Sequence, residues 1–170
     1  MQIIIVAATS AEQVIGRANE LPWHLPNDEA FLRRTIADGW LLTGRRSYES
    51  AQGSEIFQDG RRTVVVTRQL DYQAPVAAVV HTVQAGIDVA RAQGALRLYV
   101  LGGGEVYAAA MEHADQLIIT IIHMTFDGDT FFPTIDPNQW QEVWRECHTP
   151  DAENAYAHDF VRYNRRHNAG

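Results

Sequence analysis

Six apolar runs constrain this chain more than any other feature: "QIIIVAA" (2–8), "GWLLTG" (39–44), "RTVVVT" (62–67), "VAAVVH" (76–81), "LRLYVLGG" (96–103) and "QLIITIIHM" (116–124). Several are apolar without alternation, the pattern of strands buried on both faces, as in a parallel sheet. Helical spacing separates several of them, over 27–37, about 45–51, 82–93 and 104–113. Strands alternating with helices predict a wound α/β sheet with crossover connections. Beyond residue 125 the texture changes. "WQEVWREC" and "AYAHDFVRY" read as strands joined by the polar "HTPDAEN", an antiparallel hairpin that ends the sheet. The irregular stretches 9–26, 51–61 and 125–138 are the loops long enough to carry function.

With 170 residues and 46% apolar composition, the chain predicts one domain over 1–170. The single cysteine, Cys147, has no partner for an internal disulfide, and "MQIIIVAATS" has neither a basic leader nor an apolar run long enough to span a membrane. A reducing, cytoplasmic setting is expected. A net charge of −7 argues against nonspecific nucleic-acid or membrane-surface binding. All 14 cations are arginine, and eight of them form the pairs Arg33-Arg34, Arg45-Arg46, Arg61-Arg62 and Arg165-Arg166.

Three strand-to-helix or strand-to-loop junctions suggest chemistry. In "YVLGGGEVY" (99–107) a strand runs into three glycines and then a helix, so the backbone can approach a ligand whose phosphates meet free N–H groups. The spacing is not the usual dinucleotide fingerprint, which would need glycine at Tyr107. In "LLTGRRSYES", Gly44 leads into Arg45, Arg46 and Ser47 at a helix start, where cations oppose the helix dipole but suit a phosphate. "RTVVVTR" ends in Thr67 and Arg68. Together these point to a phosphorylated dinucleotide of the NADP type, whose extra phosphate accounts for surplus arginine.

In "LPWHLPNDEAFLRR" (21–34), Pro26 and Asn27 mark a helix start, and Asp28 shares a face with Leu32 and Ile36. An acid on a first turn is ordinarily a cap or dipole residue, so this segment alone leaves its role open. The seven histidines show no H-E-x-x-H spacing, which with one cysteine disfavours a metal site. Ser10, Ser47, Ser50 and Ser54 lie outside any G-x-S-x-G context, and Trp140 and Trp144 read as strand packing.

The pieces "VIGRANELPWHLPNDEAFLRR", "TGRRSYES", "VVVTR", "VLGGGEVY", "LIITII", "DGDTFFP" and "AENAYAHDF", taken in order, resemble dihydrofolate reductase over essentially the whole chain. The resemblance implies an eight-stranded, mostly parallel sheet with an antiparallel C-terminal strand and four flanking helices. It implies NADPH as cofactor, dihydrofolate as substrate, a role in one-carbon metabolism and thymidylate synthesis, and antifolates as candidate inhibitors whose grip the sequence leaves open, with a monomer expected. Asp28 matches the carboxylate that binds the pterin, Thr120 its hydrogen-bonding threonine, and Trp23 the tryptophan that helps hold a water nearby. Ile15, Gly16 and Leu21 match the mobile loop over the nicotinamide, with Ala8 beside it. Gly44, Arg45, Arg46, Ser47, Thr67 and Arg68 match the phosphate and adenosine end, and Gly102, Gly103, Gly104, Glu105 and Val106 the pyrophosphate turn, with a cis bond at Gly102-Gly103. Val6, Ala7, Leu32, Ala51, Leu101 and Tyr107 match the pterin and benzoyl pocket. The segment "ESAQGSEIFQDGRR" departs from the family's proline-containing pattern; Arg61 is the residue matched there to the substrate glutamate. Two alternatives remain at this point: a pyrimidine-ribose reductase of the same fold, and a noncatalytic NADPH-binding protein.

Overall fold

A computed structural model describes residues 1–57 and 62–167. The apolar runs become strands β1 (Gln2–Ser10), β3 (Trp40–Gly44), β4 (Thr63–Val66), β5 (Ala78–Val80), β6 (Arg97–Val100) and β7 (Gln116–Ile122). With β9 (Trp140–His148) and β10 (His158–Arg165) they form one sheet in the order β5-β4-β3-β6-β1-β7-β10-β9. All pairings from β5 to β7 are parallel. β10 runs antiparallel to both β7 and β9.

The central strands are predominantly apolar because both sheet faces are covered. Ile3, Ile5 and Ala7 of β1 pack with Val83, Ile87 and Ala90 of α4 (Val83–Ala92) and with Val106 and Tyr107 of α5 (Gly104–Ala110). Ile4 and Val6 point the other way, towards Tyr48 of α2 (Arg45–Glu49), Ile56 of α3 (Ala51–Ile56) and Ile36, which ends α1 (Pro26–Thr35). Helix α1 buries none of its own residues completely. Its inner face packs against the sheet only partly, through Phe31 and Leu32, and the same residues look into a cavity.

Three details depart from the sequence reading. The helix expected over 45–51 stops at Glu49, because Ser50 is extended; its hydroxyl donates to the Ser47 carbonyl and accepts from Gly53 N–H, capping a separate helix within the stretch expected to be irregular. Among the described residues that gives five helical segments, with α2 and α3 where one helix was expected. Residues from the other two irregular stretches pair as a small ribbon, β2 (Val14–Gly16) with β8 (Thr130–Phe131).

Candidate active site

The chain order leaves a crevice at the carboxyl ends of β1, β3 and β6, where open α/β sheets bind ligands. There the structure holds a cavity of about 460 Å³, within the range of small-molecule sites. Val6, Ala7 and Ala8 from β1 form its floor, with Leu101, Gly102 and Gly103 following β6. One wall is α1, through Asp28, Phe31 and Leu32; the facing wall comes from Ser47, Ala51, Ile56 and Phe57. Ile15, Gly16, Leu21 and Trp23 close a third side.

Asp28 sits at the apolar end. Thr120, buried on β7, donates its hydroxyl hydrogen to Asp28 Oδ1 at 2.6 Å. Burial raises the carboxyl from its ordinary value of 3.8 to about 6; the Thr120 hydrogen bond opposes that shift and neighbouring Glu29 adds to it. Asp28 is therefore mainly ionised at neutral pH, yet poised to respond to a ligand that donates hydrogen bonds. Tyr107 completes this end: its hydroxyl donates to the Val6 carbonyl at 2.8 Å, and burial holds it well above the usual phenol range. Trp23 is buried against Phe126, and its indole N–H meets no acceptor among the described residues.

At the other end lies the glycine turn. Gly102 and Gly103 are joined by a cis peptide, and the Gly102 carbonyl accepts from Gly44 N–H at 2.7 Å and from the Thr43 hydroxyl at 3.2 Å. These bonds lock the ends of β3 and β6 together. Helices α2 and α5 both begin here, from Gly44 and Gly103, and neither has a side-chain cap. Their first-turn N–H groups face the turn without side-chain acceptors, an arrangement suited to phosphate. A Cβ on Gly103 would meet only Ser47 Oγ, at 3.4 Å. The residues present therefore fit a diphosphate.

A dihydrofolate reductase family model matches residues 2–165. The chain belongs to the dihydrofolate reductase family. A Bacillus subtilis dihydrofolate reductase is 32% identical over 167 residues, covering 98% of this chain and 96% of that protein. A type 3 dihydrofolate reductase of Salmonella typhimurium is 36% identical over 166 residues, covering 98% and 99%. The solved structure of the Enterococcus faecalis dihydrofolate reductase, complexed with NADP(H) and RAB-propyl, superimposes with a TM-score of 0.88 at 34% identity, covering 98% of this chain and 97% of that one.

Of the sequence-matched residues, Val6, Ala7, Ala8, Ile15, Gly16, Leu21, Trp23, Asp28, Leu32, Ser47, Ala51, Leu101, Gly102, Gly103, Tyr107 and Thr120 line this cavity. Gly44, Arg45, Arg46, Thr67, Arg68, Gly104, Glu105 and Val106 do not line it. Several of them are tied together just beyond its glycine end: Arg68 pairs with Glu105 at 2.8 Å, and a Cβ on Gly44 would meet Val106 at 3.2 Å. Arg45 pairs with Glu49 at 2.7 Å. Arg61 lies outside the described residues. Sequence reasoning missed Phe31, although its three-residue spacing from Asp28 was a usable signal. It also missed Arg33, Glu55, Ile56 and Phe57. The last three belong to the stretch expected to be irregular, where no periodicity marked an inward face. No helix among the described residues is long and apolar enough to cross a membrane.

Proposed function

We propose that this chain, acting as a single cytoplasmic reductase domain and a monomer, reduces 7,8-dihydrofolate to 5,6,7,8-tetrahydrofolate with NADPH in this cavity. The observation that carries the reading is the Thr120-held carboxylate of Asp28 at the apolar end of a cavity whose other end is an uncapped glycine turn. The chemistry supplied by bound NADPH is hydride transfer, with C6 of the pterin as acceptor and solvent as the source of the proton on N5. Asp28 accepts hydrogen bonds from the amidine-like edge of the pterin, and so orients and polarises the ring. Thr120 fixes the rotamer of that carboxylate. Trp23 lines the same cavity with its indole N–H unpaired among the described residues, and Val6, Ala7, Leu32, Ala51, Leu101 and Tyr107 enclose the pterin and benzoyl groups.

Ala8, Ile15, Gly16 and Leu21 cover the nicotinamide and keep water from it. Gly44, Ser47 and the turn from Gly102 to Val106 hold the diphosphate. Arg45, Arg46, Thr67 and Arg68 hold the adenosine end and its extra phosphate, the exposed pairs to Glu49 and Glu105 opening at little cost.

The deciding experiment follows absorbance at 340 nm when protein meets NADPH and dihydrofolate. Oxidation is expected to require both, and Asp28→Asn should lower neutral-pH turnover about a hundredfold or more while NADPH still binds. Undiminished turnover in that variant removes Asp28 from the mechanism. Alanine at both Arg45 and Arg68 should raise the KM for NADPH about tenfold or more and leave that for NADH nearly unchanged. Equal losses with both cofactors place the extra phosphate elsewhere.

A further inference from the structure

The walls of the cavity are tied together at its mouth. Arg33 on α1 and Glu55 on α3 both line the cavity, and Arg33 Nη2 lies 3.3 Å from Glu55 Oε2. Arg33 is five residues beyond Asp28, about 7.5 Å along the helix axis. A dihydropterin whose ring meets Asp28 must therefore lead its substituent out between Leu32 and Ile56, towards this ion pair. Glu20 and Glu29 also line the cavity, and Arg33 is the one cation among its described lining residues. A tail carboxylate that reaches Arg33 therefore meets Glu55 already beside it, an arrangement unfavourable for a substrate whose tail ends in carboxylates.

We propose that Glu55 is a specificity-determining residue: by occupying Arg33 it competes with the carboxylates of the substrate's glutamate tail and weights this pocket towards dihydropterins with few or no tail charges. The inference rests on the reductase reading above. The side chains of Arg33 and Glu55 are 46% and 70% exposed, so the pair is solvated and exchanges partners readily. An incoming tail carboxylate displaces Glu55 from Arg33 or shares the guanidinium with it, and either way meets Glu55 nearby as a like charge. Each further glutamate on the tail meets that repulsion again, less strongly in salt.

The test compares kcat/KM for three substrates: a dihydropterin with methyl groups in place of the tail, dihydrofolate, and dihydrofolate extended by further glutamates. Glu55→Gln is expected to raise the ratio of dihydrofolate to tailless efficiency about three- to tenfold, more for the extended substrate and less at high ionic strength. Arg33→Gln should lower the same ratio. Glu55 is exposed and glutamine suits a helix, so the variant keeps the fold. An unchanged ratio in Glu55→Gln, or a change that ignores tail charge, overturns the proposal. Failure of the parent protein to oxidise NADPH with any of the three overturns the reductase reading itself, and this inference with it.

Discussion

Asp28 carries a charge where the fold would rather have none. The folded state keeps its proton up to about pH 6, whereas the unfolded chain releases it near 3.8. The group therefore favours folding in acid, and this contribution is lost as pH rises from about 4 to 6 and remains lost above that. The difference amounts to about 3 kcal/mol at most, because each tenfold change in proton affinity is worth about 1.4 kcal/mol. Asparagine can keep the hydrogen bond from Thr120 without the charge. Urea denaturation should then find Asp28→Asn and its parent alike at pH 4, with the variant more stable by about 1–3 kcal/mol at pH 8. Equal stability at pH 8 refutes this desolvation account. The sequence pattern puts Asp28 on the helix's apolar face; its partner Thr120 is 92 positions away, and no local signal links them.

At the scale of elements, two glycines make opposite demands. A Cβ on Gly103 would meet only Ser47 Oγ, at 3.4 Å, so Gly103→Ala should change stability by less than about 1 kcal/mol while weakening NADPH binding about tenfold or more. Calorimetry against NADPH checks both halves, and undiminished binding moves the diphosphate away from the turn. Gly53 is different: a Cβ there would lie 2.0 Å from the Ser47 carbonyl oxygen and 2.7 Å from that of Tyr48. Those are backbone atoms at the junction of α2 and α3, and overpacking there costs about 1–3 kcal/mol. The glycine-rich turn was legible because strand, glycines and helix are contiguous. Helix α3 was not, since it is only six residues long and is set by its Ser50 cap and by Gly53 fitting beneath α2.

Across the whole molecule, the site depends on parts distant in sequence. The start of α1 has no cap of its own. The Asn27 N–H instead donates to Asn154 Oδ1 at 2.8 Å, and the Asn27 side-chain amide lies 2.8 Å from His158 Nε2, whose ring donates through Nδ1 to the Tyr156 carbonyl. Phe31 stacks on Phe160 with centroids 3.9 Å apart. The terminal hairpin thus holds the helix that presents Asp28. A ligand that bridges β1, β3 and β6 should stabilise all of this together: NADPH at a hundred times its Kd contributes about 2.7 kcal/mol, or about 5–10 °C in Tm for a chain of this size. An unmoved Tm rules out binding to the folded state at that level. By itself the sequence determined the α/β class, the strands of the main sheet and the glycine turn, because hydrophobic period and turn chemistry are local. Only the tertiary structure decided the geometry in which Thr120 meets Asp28, a pairing the resemblance alone had implied, that α1 lines a cavity, and that Arg33 faces Glu55 across its mouth, because those depend on how separate elements pack.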